Sequence, residues 1–134
     1  MSETQNSVND WIEESFPGAS MKRKLKHAFE EMTELAVSAE SGLTLEEIIA
    51  VISHSWTKSQ GNTQNPKNEI ADVRISITGI ASLMGVNEQQ ALDDVMYLNR
   101  QRSLKERQDR EASKRTLSIF SETNQSGTPG QPAP

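Results

Sequence analysis

The sequence predicts an all-α fold, a helical bundle of about four main helices completed by oligomerisation, and three observations carry that prediction. Apolar residues recur at i, i+3 and i+4 in stretches too long for ordinary strands. Capping and stop residues bracket those stretches, among them Thr44 with Glu47, and the glycines at 42 and 85. No Gly-rich phosphate loop, no strand–turn–helix unit and no internal repeat is present, which removes doubly wound and P-loop folds.

The elements follow in order. The opening MSETQNS is polar and reads as loose, and VNDWIEESF reads as a short amphipathic segment terminated by Pro17 and Gly18. A first long helix fits Ser20 to about Glu40, with Leu25, Phe29, Met32, Ala36 and Ala39 on one stripe and Ser41-Gly42 as its stop. A second begins near Thr44, where TLEE is a capping box, and runs through IIAVISHSW; TKSQGNTQNPKN follows as a loop. A third starts around Asn68 and ends at Gly85. Its β-branched Val73, Ile75, Ile77, Thr78 and Ile80 would also suit a strand, but sixteen residues with helical apolar spacing favour the helix. A fourth, capped by Asn87, runs through EQQALDDVMYLN into RQRSLKERQDREASKR. The Ser-, Gly- and Pro-rich SETNQSGTPGQPAP reads as a disordered tail, so one domain over residues 1–120 is followed by a tail over 121–134.

Composition narrows the function. Hydrophobic residues make up 34% and aromatic residues 4% of the 134, so the core is modest and a partner chain is expected to complete it. The net charge of −5 argues against a nucleic-acid polymer as the main partner, because backbone binding needs a basic footprint. Acidic clusters remain compatible with phosphates if divalent cations mediate. The absence of cysteine excludes disulfides, thiolate catalysis and Cys-based zinc sites. No apolar run approaches the ~20 residues of a membrane span and no secretory segment follows Met1, so the cytoplasm is the expected location.

At about 100° per residue, His27, Glu31, Glu34 and Ser38 share a stripe of the first long helix roughly opposite its apolar one. Alone, that is a solvated face. On the third helix, Glu69 and Asp72 fall on or beside the apolar face; Glu69 is explained by the helix dipole, Asp72 less easily. Asn99 and Arg102 extend the Ala91/Leu92/Val95 stripe of the fourth. Charges on faces that ought to be buried must be paired or metal-bound. Glu31 with Glu34 and Glu69 with Asp72 form two i, i+3 carboxylate pairs, a hard-ligand arrangement suited to Mg²⁺ or Mn²⁺, with an Arg102–carboxylate network as the metal-free competitor.

HAFEEMTEL, then EIADVRISITGIASLMG, then NRQR resembles the MazG-like all-α nucleoside triphosphate pyrophosphohydrolases, with their E-E-x-x-E, E-x-x-D and late N-x-x-R, over roughly Val8 to Arg107 with a gap. NDWIEESFPGAS looks like the lead-in of the short, often phage-encoded members that act on purine deoxynucleotides. The resemblance implies Glu31, Glu34, Glu69 and Asp72 as metal ligands for two or more Mg²⁺ or Mn²⁺ ions, Glu30 as a residue that either supports those ligands from outside or helps to position water, and Asn99 and Arg102 as phosphate contacts. It implies hydrolysis of nucleoside triphosphates, dGTP and dATP foremost, to monophosphate and pyrophosphate, in the host cytoplasm if the protein is phage-encoded. Two features depart from the family. The helix around LTLEEIIAVISHSW occupies what is usually a short connection, and Val95 stands where a lysine is common, leaving Lys22, Arg23, Lys24, Lys67, Arg100 or a neighbouring subunit to supply charge.

His27, one turn before Glu31, is a further candidate for the site, although surface histidines are commoner. His54 reads as structural, Trp11 as a core anchor, and Trp56 as either core or base-stacking group; Met32, Met84 and Met96 read as packing. Leu45, Ile48, Ile49 and Ile52 offer more apolar surface than a thin bundle covers, which predicts a homodimer or a dimer of dimers. The competing expectation is a non-enzymatic helical interaction module or small phage regulator.

Overall fold

The computed structural model describes residues 2–113, and the expected tail over 121–134 lies outside them. The described residues are 79% helical and form six helices with no strand, which bears out the all-α fold. The count exceeds the four main helices expected. They are α1 (Gln5–Ser15), α2 (Met21–Ala39), α3 (Leu45–Ser59), α4 (Pro66–Met84), α5 (Glu88–Gln101) and α6, over residues 104–113.

Three boundaries differ from the expectation, each for a local reason. The opening is not loose: Thr4 caps α1 by accepting from Ser7 N–H at 3.1 Å, while Ser7 Oγ accepts from Thr4 N–H at 2.8 Å. The loop after α3 is shorter than TKSQGNTQNPKN. Helix α3 continues through Thr57 and Lys58 to Ser59, and α4 already begins at Pro66, whose missing N–H is harmless in a first turn capped by Asn65. The fourth helix does not run on into the charged segment but breaks at Arg102–Ser103. Ser103 Oγ accepts from Glu106 N–H at 3.1 Å and starts α6.

Elsewhere the caps fall where expected. Ser20 and Asn87 accept from Arg23 N–H and Gln90 N–H. Thr44 accepts from Glu47 N–H at 3.2 Å, and its hydroxyl also donates to the Glu47 carboxylate. Gly85 ends α4 at φ 70°, a conformation that costs a side chain 1–2 kcal/mol, and lets Val86 N–H reach back to Ala81 O.

The described residues divide into two units, one of residues 2–18 with 92–113, the other Ala19–Ala91. In the first, α1 is fastened to α5 and α6 by polar contacts. Arg100 donates twice to the Glu3 carboxylate, at 3.0 Å each, and Glu3 N–H donates to Asp93 Oδ1 at 2.7 Å. The hydrogen bonds from Arg100 and then Ser7 hold the Glu3 carboxyl below its ordinary range. Arg107 donates to Ser15 Oγ at 2.8 Å and to Arg102 O at 3.1 Å, and its guanidinium lies 5.5 Å from the centre of the Trp11 ring. Trp11, expected as a core anchor, is half-buried: it meets Phe16, the C-cap of its own helix, edge to face and reaches across to α6 through Arg107. Buried residues are scarce: among the described residues only Met96, on α5, and Ser15, at the end of α1, qualify. No described residue of the second unit is buried. Among the described residues no helix is long and apolar enough to cross a membrane.

Candidate functional site

Helix α2 carries its charges against its own dipole. Lys22, Arg23, Lys24 and Lys26 crowd its N-terminal turns, where carboxylates are favoured, and Glu30, Glu31 and Glu34 follow, with no basic residue in the last turn. Both halves face solvent over most of their length. The basic residues of the first turn thus stand where the helix dipole favours carboxylates, while the glutamates lie in mid-helix, where the dipole acts weakly.

Within that acidic half, His27 sits between two glutamates. Its Nδ1 lies 3.7 Å from Glu30 Oε2 and its Nε2 lies 3.6 Å from Glu31 Oε1. These separations exceed hydrogen-bond length, so the contacts are electrostatic and attractive once the imidazole is protonated. The stripe of His27 and Glu31 expected from helical phase is realised, and Glu30 joins it from the side.

Glu69 and Asp72 lie in the first two turns of α4 and are exposed. Neither carboxylate forms an ion pair or a hydrogen bond among the described residues, although the Asp72 carbonyl accepts from Ser76 Oγ. The face of Glu31 and Glu34, which taken alone reads as solvated, is open, and so is the face of Glu69 and Asp72, which was expected to be buried. Among the described residues, no group of three or more acidic or histidine side chains closes to metal-binding geometry. The structure thus brings His27, Glu30 and Glu31 together on α2 and leaves the α4 pair apart from them.

The late motif lies in the other unit. Asn99 and Arg102 are half-buried, and Arg102 Nη1 donates to Asn99 Oδ1 at 2.6 Å, joining the two expected phosphate contacts into one polar pair. Arg100, a candidate for the charge missing at Val95, is engaged by Glu3 and cannot serve as a free cation. Lys22 and Lys67 remain exposed. Trp56 is exposed on α3 and stacks on no described aromatic ring.

Two features of the polar network were absent from the sequence reading. The ties Glu3–Arg100 and Ser15–Arg107 join residues more than ninety positions apart, and only Ser103-x-x-Glu106, a capping box, left a local trace of the break that aims Arg107 at α1. Searches of protein-family models, of curated proteins and of solved structures find no match to this chain.

Proposed function

We propose that the protein is a divalent-metal-dependent nucleoside triphosphate pyrophosphohydrolase, with dGTP and dATP as its preferred substrates. One observation carries the reading: Glu31/Glu34 and Glu69/Asp72 present two i, i+3 carboxylate pairs to solvent from α2 and α4, and the α4 pair has no partner among the described residues. Carboxylates one turn apart repel each other unless something binds them, and the α4 pair has only the helix dipole, at Glu69, in its favour. Their all-oxygen, anionic donor set fits Mg²⁺ or Mn²⁺ and not a soft metal. The base preference rests on the resemblance of NDWIEESFPGAS to the purine-selective short enzymes.

In this reading Glu31, Glu34, Glu69 and Asp72 hold the metal, which when bound supplies Lewis acidity and an activated water. His27 and Glu30 fix the orientation of Glu31 through their mutual contacts. The basic turns of α2 from Lys22 to Lys26 answer the charge of the triphosphate and take the place of the family lysine. The assignment of Asn99 and Arg102 to phosphate rests on the resemblance of NRQR to the late family motif alone. Water oxygen forms the new bond to the α-phosphorus, the bond from that phosphorus to the bridging oxygen breaks, and pyrophosphate leaves.

A second reading, a helical interaction module, is favoured by the apolar faces left open in Ala19–Ala91. Metal binding separates the two. Saturating Mg²⁺ or Mn²⁺ is expected to raise the melting temperature by several degrees, since a ligand at a hundred times its Kd adds about 2.7 kcal/mol, and the rise is expected to vanish in Glu31→Ala. An unchanged melting temperature selects the module.

A further inference from the structure

Helix α3 carries an uninterrupted apolar stripe that nothing among the described residues covers. Leu45, Ile49, Ile52 and Trp56, at i, i+4, i+7 and i+11, are 66%, 53%, 48% and 70% exposed, with Ile48 half-buried beside them. A Trp side chain offers about 150–250 Å² and Leu or Ile somewhat less, so the stripe presents on the order of 500 Å². Two such stripes together reach about 1,000 Å², the lower bound of a specific interface. The open apolar side chains of α2 and α4, Phe29, Ile70 and Leu83 among them, extend the supply toward the ~2,000–5,000 Å² of obligate homodimers. A unit with no buried side chain needs a partner present in fixed ratio from synthesis onward, and a second copy of the same chain is that partner.

Charge sets the orientation. Glu46 and Glu47 stand in the first turn of α3 and Lys58 in the last. Parallel pairing would set like charges side by side, whereas antiparallel pairing about the middle of Leu45–Ser59 sets the acidic end of each helix by the basic end of the other and opposes the two dipoles. The middle of that range is Ile52. We infer that the protein is a homodimer in which α3 packs antiparallel on the partner's α3 across a two-fold axis at Ile52. Trp56 is then an interface residue seated toward the Ile48–Ile49 turn of the partner, not a wall for a nucleotide base.

The chain has no cysteine, so a single introduced thiol reports only on contact between copies. The test is light scattering of the full unmodified chain at micromolar concentration, with a short bifunctional thiol crosslinker applied to Ile52→Cys, Leu45→Cys and Ser59→Cys. A mass of two or four chains, with covalent dimer from Ile52→Cys and at least tenfold less from the two end positions, is expected. A mass of one chain, equal crosslinking at all three positions, or none at Ile52 would overturn the inference. None of these readouts uses activity, so the assembly can fail while the enzymatic reading stands, and the reverse.

Discussion

Glu31→Gln, Glu34→Gln, Glu69→Gln and Asp72→Asn are each expected to reduce pyrophosphate release from dGTP by at least about a hundredfold, since even outer-shell changes at metal sites cost 10–100-fold. Stability without metal is expected to change little: Asp72→Asn relieves repulsion with Glu69, whereas Glu69→Gln gives up a favourable first-turn charge and Glu31→Gln its contact with His27. The side chains are solvent-facing, those of Glu69 and Asp72 have no protein partner among the described residues, and neutralising one of a pair of like charges relieves repulsion. The checks are initial rates alongside circular dichroism and melting in the absence of divalent ions. Near-normal rates would remove these residues from the site, and loss of helix would make them structural.

Arg107→Ala is expected to have the opposite profile, a large loss of stability from a residue outside the metal site. Arg107 is mostly shielded from solvent and holds three groups at once: the Oγ of fully buried Ser15, the Arg102 carbonyl and the face of Trp11. Removing it strands a buried acceptor and uncovers the ring, for a cost of about 2–3 kcal/mol. In a domain of this size that is a fall of roughly 5–15 °C in melting temperature. Arg107→Lys keeps the charge but loses the planar fork, so it is expected to recover only part of the loss. A melting temperature unchanged in Arg107→Ala would show that α1 is held by other contacts.

The sequence and the structure agree at the helix ends whose local signals are conventional. Ser20, Thr44, Asn87 and Gly85 mark helix ends by chemistry that acts within four residues, and those ends fall as read. The α1 start was missed because Ser7 replaces the usual Glu or Gln of a capping box, and the α4 start because Asn65-Pro66 reads as a loop before it reads as a cap and first turn. The break before α6 overrode a charge-rich stretch with good helix propensity; Ser103 with Glu106 was its visible mark.

Helical phase also placed His27 beside Glu31 and Asn99 beside Arg102, because each pair lies within one helical turn. It gave no information on Glu3 with Arg100 or Ser15 with Arg107, since pairing across 97 and 92 positions depends on tertiary packing. The relation of Glu31 and Glu34 to Glu69 and Asp72 is of that kind too. Phase fixes each pair on its helix, and packing between helices, or between chains, decides how the pairs meet.

Turnover of dGTP with Mg²⁺ in heavy-oxygen water, followed by mass spectrometry of both products, is the measurement closest to the proposed chemistry. Attack at the α-phosphate predicts labelled dGMP and unlabelled pyrophosphate. Inorganic phosphate as the first product, label in the pyrophosphate, or no turnover of any common deoxynucleoside or ribonucleoside triphosphate would contradict it.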